Sequence, residues 1–148
     1  MKGDAIIVTT EEATTLLINY INNICPDIIM HYYHSYTSNS IYIKLDYGTA
    51  NSIRISDHEK ANNGYNYKYE LRIDKVLSWH RFENNIYKIM YPATQIEQLA
   101  NKIVKERNKK KKEKGRSYIN EMDKRKRYMK SNKSKKFYKL CKEIKICN

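Results

Sequence analysis

Residues 41–57, IYIKLDYGTANSIRISD, contain two short segments in which side chains alternate in character. Ile41, Ile43 and Leu45 recur at every second position of the first segment, and residues 52–57 continue with the same period. Successive side chains of a strand point to opposite faces, so this pattern predicts two β-strands that each cover an apolar core with one face. The glycine between the two segments indicates a turn.

Strands are also predicted on both sides of this stretch. Residues 65–73 alternate strictly, residues 28–36 alternate less regularly, and the turn signal Asn62-Asn63-Gly64 precedes the former. The pattern in 76–91 is ambiguous and favours a last strand over 86–91. Clean alternation with short connections predicts an antiparallel sheet of three to four strands.

Helices are predicted before and after the sheet. Thr9 and Glu12 have the spacing of a capping box, and helical periodicity follows them until Asn22-Asn23, shortly before Pro26. A second capping box, Thr94 to Glu97, precedes an apolar stripe that ends at Arg107.

Two more helices are predicted near the C-terminus. Gly115 is expected to end the preceding helix, and Ser117 to cap a helix that extends to about Lys130. Ser134 can cap a last helix, and its apolar face would comprise Phe137, Leu140, Cys141 and Ile144.

The sequence therefore predicts an α+β fold with an N-terminal helix, an antiparallel sheet of three to four strands and C-terminal helices. Residues 1–104 are expected to form a compact body, and residues 105–148 a Lys/Arg-rich helical arm.

Charge supports this division. Residues 1–100 carry 9 Lys and Arg against 11 Asp and Glu, whereas residues 101–148 carry 20 against 5, a net charge of +15. A near-neutral body with a cationic arm is typical of a protein that binds a polyanion, above all nucleic acid.

The basic residues of the arm are the predicted nucleic-acid-binding residues. They are Lys109, Lys110, Lys111, Lys112, Lys114, Arg116, Lys124, Arg125, Lys126, Arg127, Lys130, Lys133, Lys135, Lys136 and Lys139. Tyr118, Tyr128 and Tyr138 are interleaved with them and are candidates for stacking on bases. Lysine neutralises phosphate without reading base edges, so weak sequence specificity is expected. A solvated, self-repelling tail is the alternative interpretation.

Other features restrict the class of protein. No stretch approaches the roughly 20 apolar residues of a membrane span, and no signal peptide is recognised. Cys25, Cys141 and Cys147 lack the C-x-x-C spacing, which predicts reduced thiols in a cytoplasmic protein without a metal or other cofactor.

Two further groups of residues have alternative interpretations. Residues 54–59 combine Asp57 and His58 at a strand end, and His31, His34 or His80 could complete a nuclease or metal site, although ordinary loop chemistry explains the pair as well. Similarly, Tyr32, Tyr33 and Tyr42 could form an exposed stacking platform or belong to the core.

The segment 51–58, NSIRISDH, with the strand 69–74, YELRID, resembles a strand–turn–strand motif of small basic anti-CRISPR proteins that inhibit Cas9, encoded by phages and mobile elements. In that family the basic extension precedes the body, whereas here it follows. The residues that match are Arg54, Ser56, Asp57 and His58, as a shared structural corner. The resemblance implies a stoichiometric inhibitor of a nuclease, its guide RNA or both, in the host bacterial cytoplasm, and not an enzyme.

We therefore expect a phage anti-defence protein that binds a CRISPR effector ribonucleoprotein or its nucleic acid through the arm. The alternatives are a general DNA- or RNA-binding regulatory or accessory protein, a small nuclease, and a protein attached to a membrane surface. The apolar face of the last helix also makes a homodimer conceivable.

Overall fold

The computed structural model describes residues 9–35, 38–57, 68–73, 78–83, 86–92, 96–131 and 139–140. The elements are, in chain order, α1 (Thr10–Ile24), β1 (Met30–His34), β2 (Ile41–Leu45), β3 (Ser52–Ser56), β4 (Tyr69–Arg72), β5 (Ser78–Glu83), β6 (Ile86–Pro92), α2 (Ile96–Lys114), α3 (Arg116–Ser131) and β7 (Lys139–Leu140). The α+β class with an N-terminal helix and C-terminal helices is confirmed.

The strands form one sheet in the order β6-β5-β4-β3-β2-β1-β7. Over the described residues, it differs from the predicted antiparallel sheet in having seven strands and in the parallel pairing of β3 with β4, so the sheet is mixed. Parallel neighbours require a crossover of about a dozen residues. The connection between β3 and β4, residues 57–68, is long enough for one. The turn predicted at Asn62-Asn63-Gly64 lies outside the described residues.

Helix α1 begins as predicted. The backbone N–H of Glu12 donates to the Thr9 hydroxyl at 3.0 Å, and the Thr9 N–H donates to the Glu12 carboxylate at 2.8 Å. This reciprocal capping satisfies two of the N–H groups that a helix start leaves without a partner. The capping box predicted at Thr94 lies outside the described residues.

The core lies between one face of the sheet and the helices α1 and α2. Leu17 and Ile21 of α1, with Leu99 and Ile103 of α2, are fully buried, and so is Ile43 of the sheet. Burying apolar side chains of this size stabilises the fold by about 1.5–3 kcal/mol each. The opposite face of the sheet carries the alternate residues, which are discussed below.

The C-terminal part departs from the predicted helices in two ways. Gly115, whose φ is +53°, ends α2, and α3 begins directly at Arg116, so Ser117 lies inside the helix and does not cap it. Lys139 and Leu140, placed in a third helix by the sequence pattern, instead pair with Tyr32 and His31 of β1. Short apolar patterns do not distinguish a helix from a strand, and an edge of β1 was open for pairing.

Helix α2 spans both sides of the predicted domain boundary between 104 and 105 without interruption. The division into a body and an arm therefore stays a prediction, and the structure describes the arm only as far as Ser131 and in the short strand β7.

Candidate nucleic-acid interface

Helices α2 and α3 are joined at the single residue Gly115 and contain most of the predicted binding residues; this bent helix pair is called the α2–α3 hairpin below. Residues 105–131 carry 13 Lys and Arg against 4 Asp and Glu. At the bend, the Gly115 N–H donates to the Lys111 carbonyl at 2.9 Å, and the Gly115 carbonyl accepts from the N–H of Tyr118 at 3.0 Å. A left-handed residue at this position lets one helix end and the next begin without a longer loop.

A buried carboxylate attaches the hairpin to the sheet. Asp46, which is closed to solvent, accepts a hydrogen bond from Arg107 Nε at 2.7 Å and another from the Tyr118 hydroxyl. Its second oxygen accepts from the Ile29 N–H at 3.1 Å. A buried charge is tolerated only when it is paired and hydrogen-bonded, and one residue from each helix supplies that here.

The pKa values of the two helical partners reflect this contact. Burial raises the pKa of Tyr118, and the hydrogen bond to Asp46 raises it further. Burial alone would lower the pKa of Arg107, but its hydrogen bond to Asp46 and the nearby negative charge raise it above its ordinary value. Arg107 therefore stays charged and Tyr118 stays neutral at physiological pH.

Asp46 begins a left-handed turn, Asp46–Gly48, in which the three φ values are +53°, +61° and +95°. Left-handed backbone costs most residues other than glycine roughly 1–2 kcal/mol, which applies to Tyr47, whereas aspartate tolerates it better. The turn packs against α3, and it also supplies the carboxylate that holds the hairpin.

Further contacts involve lysines that were predicted to bind phosphate. Lys110 Nζ donates to the Thr49 carbonyl at 2.8 Å, and Lys111 Nζ lies 3.4 Å from the Asp27 carboxylate. Asp27 also pairs with Arg107 at 3.2 Å. The hydrogen bond from the Cys25 thiol, together with Arg107, holds the pKa of Asp27 far below its ordinary value. Lys110 and Lys111 thus contribute to the attachment of the helix.

The remaining described basic residues face solvent. They are Lys109, Lys112, Lys114, Arg116, Lys124, Arg125, Lys126 and Arg127. Arg125 is also paired with Glu121 at 2.7 Å. Lys130 lies near the end of α3 and Lys139 in β7, whereas Lys133, Lys135, Lys136 and Tyr138 lie outside the described residues.

Of the tyrosines predicted to stack on bases, one is wrongly assigned. Tyr118 is fully buried against the core, where its hydroxyl satisfies Asp46, and it is closed to any base. Tyr128 is 67% exposed and stays a candidate. Tyr118 and Tyr128 both lie among cations in the sequence, and only the fold shows that one is buried and the other exposed.

Helical spacing places several of the exposed cations on the outer side of the hairpin, whereas Arg125, seven residues after Tyr118, lies on the side that faces the Asp46–Gly48 turn. Lys105, Lys109 and Lys112 follow one another at i, i+4 and i+7 along the solvent side of α2. On α3, Arg116 and Arg127 project away from the side that buries Tyr118. Lys105 was absent from the predicted set, although its spacing from Lys109 was a usable signal. Each of the two helices therefore carries exposed cations on the side away from the core.

The described residues of the predicted nuclease site do not form a metal site. Asp57 is exposed and accepts from the Asn39 side chain at 3.0 Å, and it lines a cleft of about 440 Å³ with His34 and Glu11, which are 3.5 Å apart. Over the described ranges, no three His, Cys, Asp or Glu side chains converge as metal ligands would. His58 lies outside these ranges.

Arg54 and Ser56, which carry the resemblance in the sequence, are buried in the sheet. Arg54 pairs with the Glu70 carboxylate and donates to Ser40 at 3.2 Å, and the Ser56 hydroxyl donates to Glu70 at 3.0 Å. These contacts give both residues a structural role.

No protein-family model, no curated protein and no solved structure matches this chain. Among the helices of the described part, none combines the length and apolarity required to cross a bilayer.

Proposed function

We propose that the protein binds nucleic acid, free or within a ribonucleoprotein, through the outer surface of the α2–α3 hairpin, and that it acts without catalysis. The observation that supports this is the separation of the two sides of the hairpin. Its inner side is fixed by Asp46, while its outer side presents cations to solvent. A preorganised cationic surface binds phosphates with release of their counterions.

The biological role we propose is inhibition of a CRISPR effector. It is supported by the resemblance of residues 51–58 and 69–74 to the strand–turn–strand motif of anti-CRISPR proteins. In this role the hairpin would compete with the effector for phosphates of the guide or target. A regulatory or accessory protein that binds free DNA or RNA is the alternative.

Salt dependence tests the electrostatic part of the proposal. If the hairpin neutralises about six phosphates, the logarithm of the affinity for duplex DNA falls with the logarithm of salt concentration with a slope near −5. Fluorescence anisotropy with a labelled duplex measures this slope. A slope near zero would contradict the proposal.

Neighbouring lysines of α2 provide a matched pair of variants. Lys109→Gln/Lys112→Gln removes two exposed cations and is expected to reduce the magnitude of the slope by about 2. Lys110→Gln/Lys111→Gln removes the same charge from amines bound to Thr49 and Asp27, and is expected to change the slope less. Equal effects of both pairs would show that net charge, and not the outer surface, determines binding.

The biological role requires a separate experiment. The protein is incubated with a Cas9–guide RNA complex and with guide RNA alone, and complexes are recovered with and without RNase. Recovery of the effector and loss of target cleavage support inhibition. Binding to free nucleic acid with undiminished cleavage supports the regulatory alternative.

A further inference from the structure

The face of the sheet opposite the helices carries aromatic side chains at β1 and β2. His31 and Tyr33 of β1 pair in register with Lys44 and Tyr42 of β2, so these four side chains share that face. Tyr32, in contrast, packs against the core on the other face. The tyrosines of this region are therefore divided between both faces.

The aromatic rings form two contacts. The rings of Tyr33 and Tyr42 stack, with centroids 5.1 Å apart and an angle of 18° between their planes. The ring of Tyr47, in the left-handed turn, lies 5.3 Å from that of His31. All four residues are partly exposed. Farther along the same face, Arg54, Ser56 and Glu70 are buried, so the aromatic contacts lie at the β1–β2 end, beside buried polar residues.

Cations adjoin this aromatic face. At Gly48, directly after Tyr47, a Cβ atom would lie 3.3 Å from Arg125 Nη1 and 3.7 Å from Lys44 Cδ. The guanidinium of an α3 residue and the stem of a sheet lysine thus meet over the turn. Lys110 also lies close enough to Lys68, Lys114 and Arg125 for their charges to lower its pKa, although burial has the larger effect. Arg125 of the hairpin and Lys44 of the sheet therefore lie beside the turn that carries Tyr47.

We propose that the β1–β2 face binds single-stranded nucleic acid, with bases stacked on Tyr33, Tyr42 and Tyr47. The backbone phosphates would be held by Lys44 and Arg125. Stacking on aromatic rings beside a cationic track is how proteins hold single strands with little sequence preference. A duplex keeps its base faces covered by neighbouring bases and offers this surface only phosphates. The inference rests on the proposed function and specifies its substrate as a single strand.

Binding of the full chain to a labelled 12-nucleotide RNA, the DNA of the same sequence and the corresponding DNA duplex tests this inference. Tyr33→Leu/Tyr42→Leu is expected to weaken binding of the single strands by at least about 10-fold, because each stacked base contributes roughly 5- to 150-fold. Duplex binding and the salt slope should stay as in the wild type. The two single strands, compared with each other, identify RNA or DNA as the preferred ligand.

Two controls separate the possible outcomes. Tyr33→Phe/Tyr42→Phe keeps the rings and should retain wild-type affinity. Unchanged urea midpoints show that the variants fold. Unchanged single-strand affinity in Tyr33→Leu/Tyr42→Leu, or an equal loss for duplex and single strands, would overturn the inference. Either result would leave the proposed function intact if Lys109→Gln/Lys112→Gln still weakened binding. Absence of all nucleic-acid binding would overturn both.

Discussion

Arg107 of α2 donates through Nε to the carboxylate of Asp46 at 2.7 Å, and neither side chain is more than 2% exposed. Their contact attaches α2, in the basic C-terminal part of the chain, to the turn that follows β2. The apolar stripe of α2 continues through Arg107, four residues after Ile103, because Asp46 compensates the guanidinium charge. The attachment of the hairpin therefore depends on electrostatics in the interior as well as on apolar packing.

Asp46→Asn is expected to lower the free energy of unfolding by about 3 kcal/mol, since it leaves a buried arginine without its closest carboxylate. Asparagine tolerates left-handed backbone, so the turn itself should not add to the cost. Urea unfolding followed by circular dichroism measures the change. Asp123→Asn removes the same charge from an exposed position of α3 and should stay within about 0.5 kcal/mol of the wild type. If Asp46→Asn and Asp123→Asn had similarly small effects on the free energy of unfolding, the Arg107–Asp46 contact would not be stabilising.

Tyr118→Phe removes one hydrogen bond to the same carboxylate and should cost about 1.5–3 kcal/mol at pH 7. The pKa of Tyr118 is raised above its ordinary value of 10.0. The contribution of protonated Tyr118 to the free energy of unfolding is therefore complete below pH 10 and decreases as the pH rises further. The stability difference between the wild type and Tyr118→Phe should narrow above pH 10. Urea midpoints from pH 7 to 11 test this. At pH 7, Tyr128→Phe, at an exposed position, should lower the urea midpoint less than Tyr118→Phe does.

We expect Glu106 to make the stability of the protein decrease in acid. Burial would raise its pKa, but a hydrogen bond from Tyr69 and the charges of Lys68 and Arg81, whose nitrogens lie at 3.1 and 2.7 Å, lower it below the ordinary 4.5. A lowered pKa gives stability that is complete above pH 4.5 and lost as the pH falls toward the folded-state pKa. Glu106→Gln should reduce the slope of stability against pH below 4.5. At pH 7, Glu113→Gln, exposed on the same helix, should lower the urea midpoint less than Glu106→Gln does.

Local signals in the sequence predicted local structure well. The capping box at Thr9 and Glu12 satisfies backbone donors within one helical turn, so four residues suffice to recognise it. The alternation in 41–57 likewise identified β2 and β3, because the period of a strand is visible within a few residues. Gly115 was recognised as a break because few residues other than glycine end a helix in this way.

The contacts that define the candidate site were not predictable in this way. Tyr118 and Asp46 are separated by 72 residues, and nothing near Tyr118 in the sequence distinguishes a buried tyrosine from a base-stacking one. The parallel pairing of β3 and β4 also depends on the path of a connection and not on the composition of either strand. Long-range partners determined which cations face solvent and which attach the hairpin.

The last prediction concerns Gly48 and Gly115, which both have positive φ. For Gly115, the sign of the change in stability is informative. If α2 and α3 were one continuous helix, Gly115→Ala would stabilise the protein by about 1 kcal/mol, since alanine favours a helix interior. With φ at +53° and no atom within 4 Å of a Cβ atom, the same change should instead destabilise it by about 1 kcal/mol, through backbone strain alone. Gly115→Asn, which tolerates this backbone, should lose less. Gly48→Ala should lose more than Gly115→Ala, because its φ of +95° lies farther from the left-handed region that alanine can reach. Urea midpoints of the three variants give the order, and a stabilising Gly115→Ala would contradict the bend between the helices.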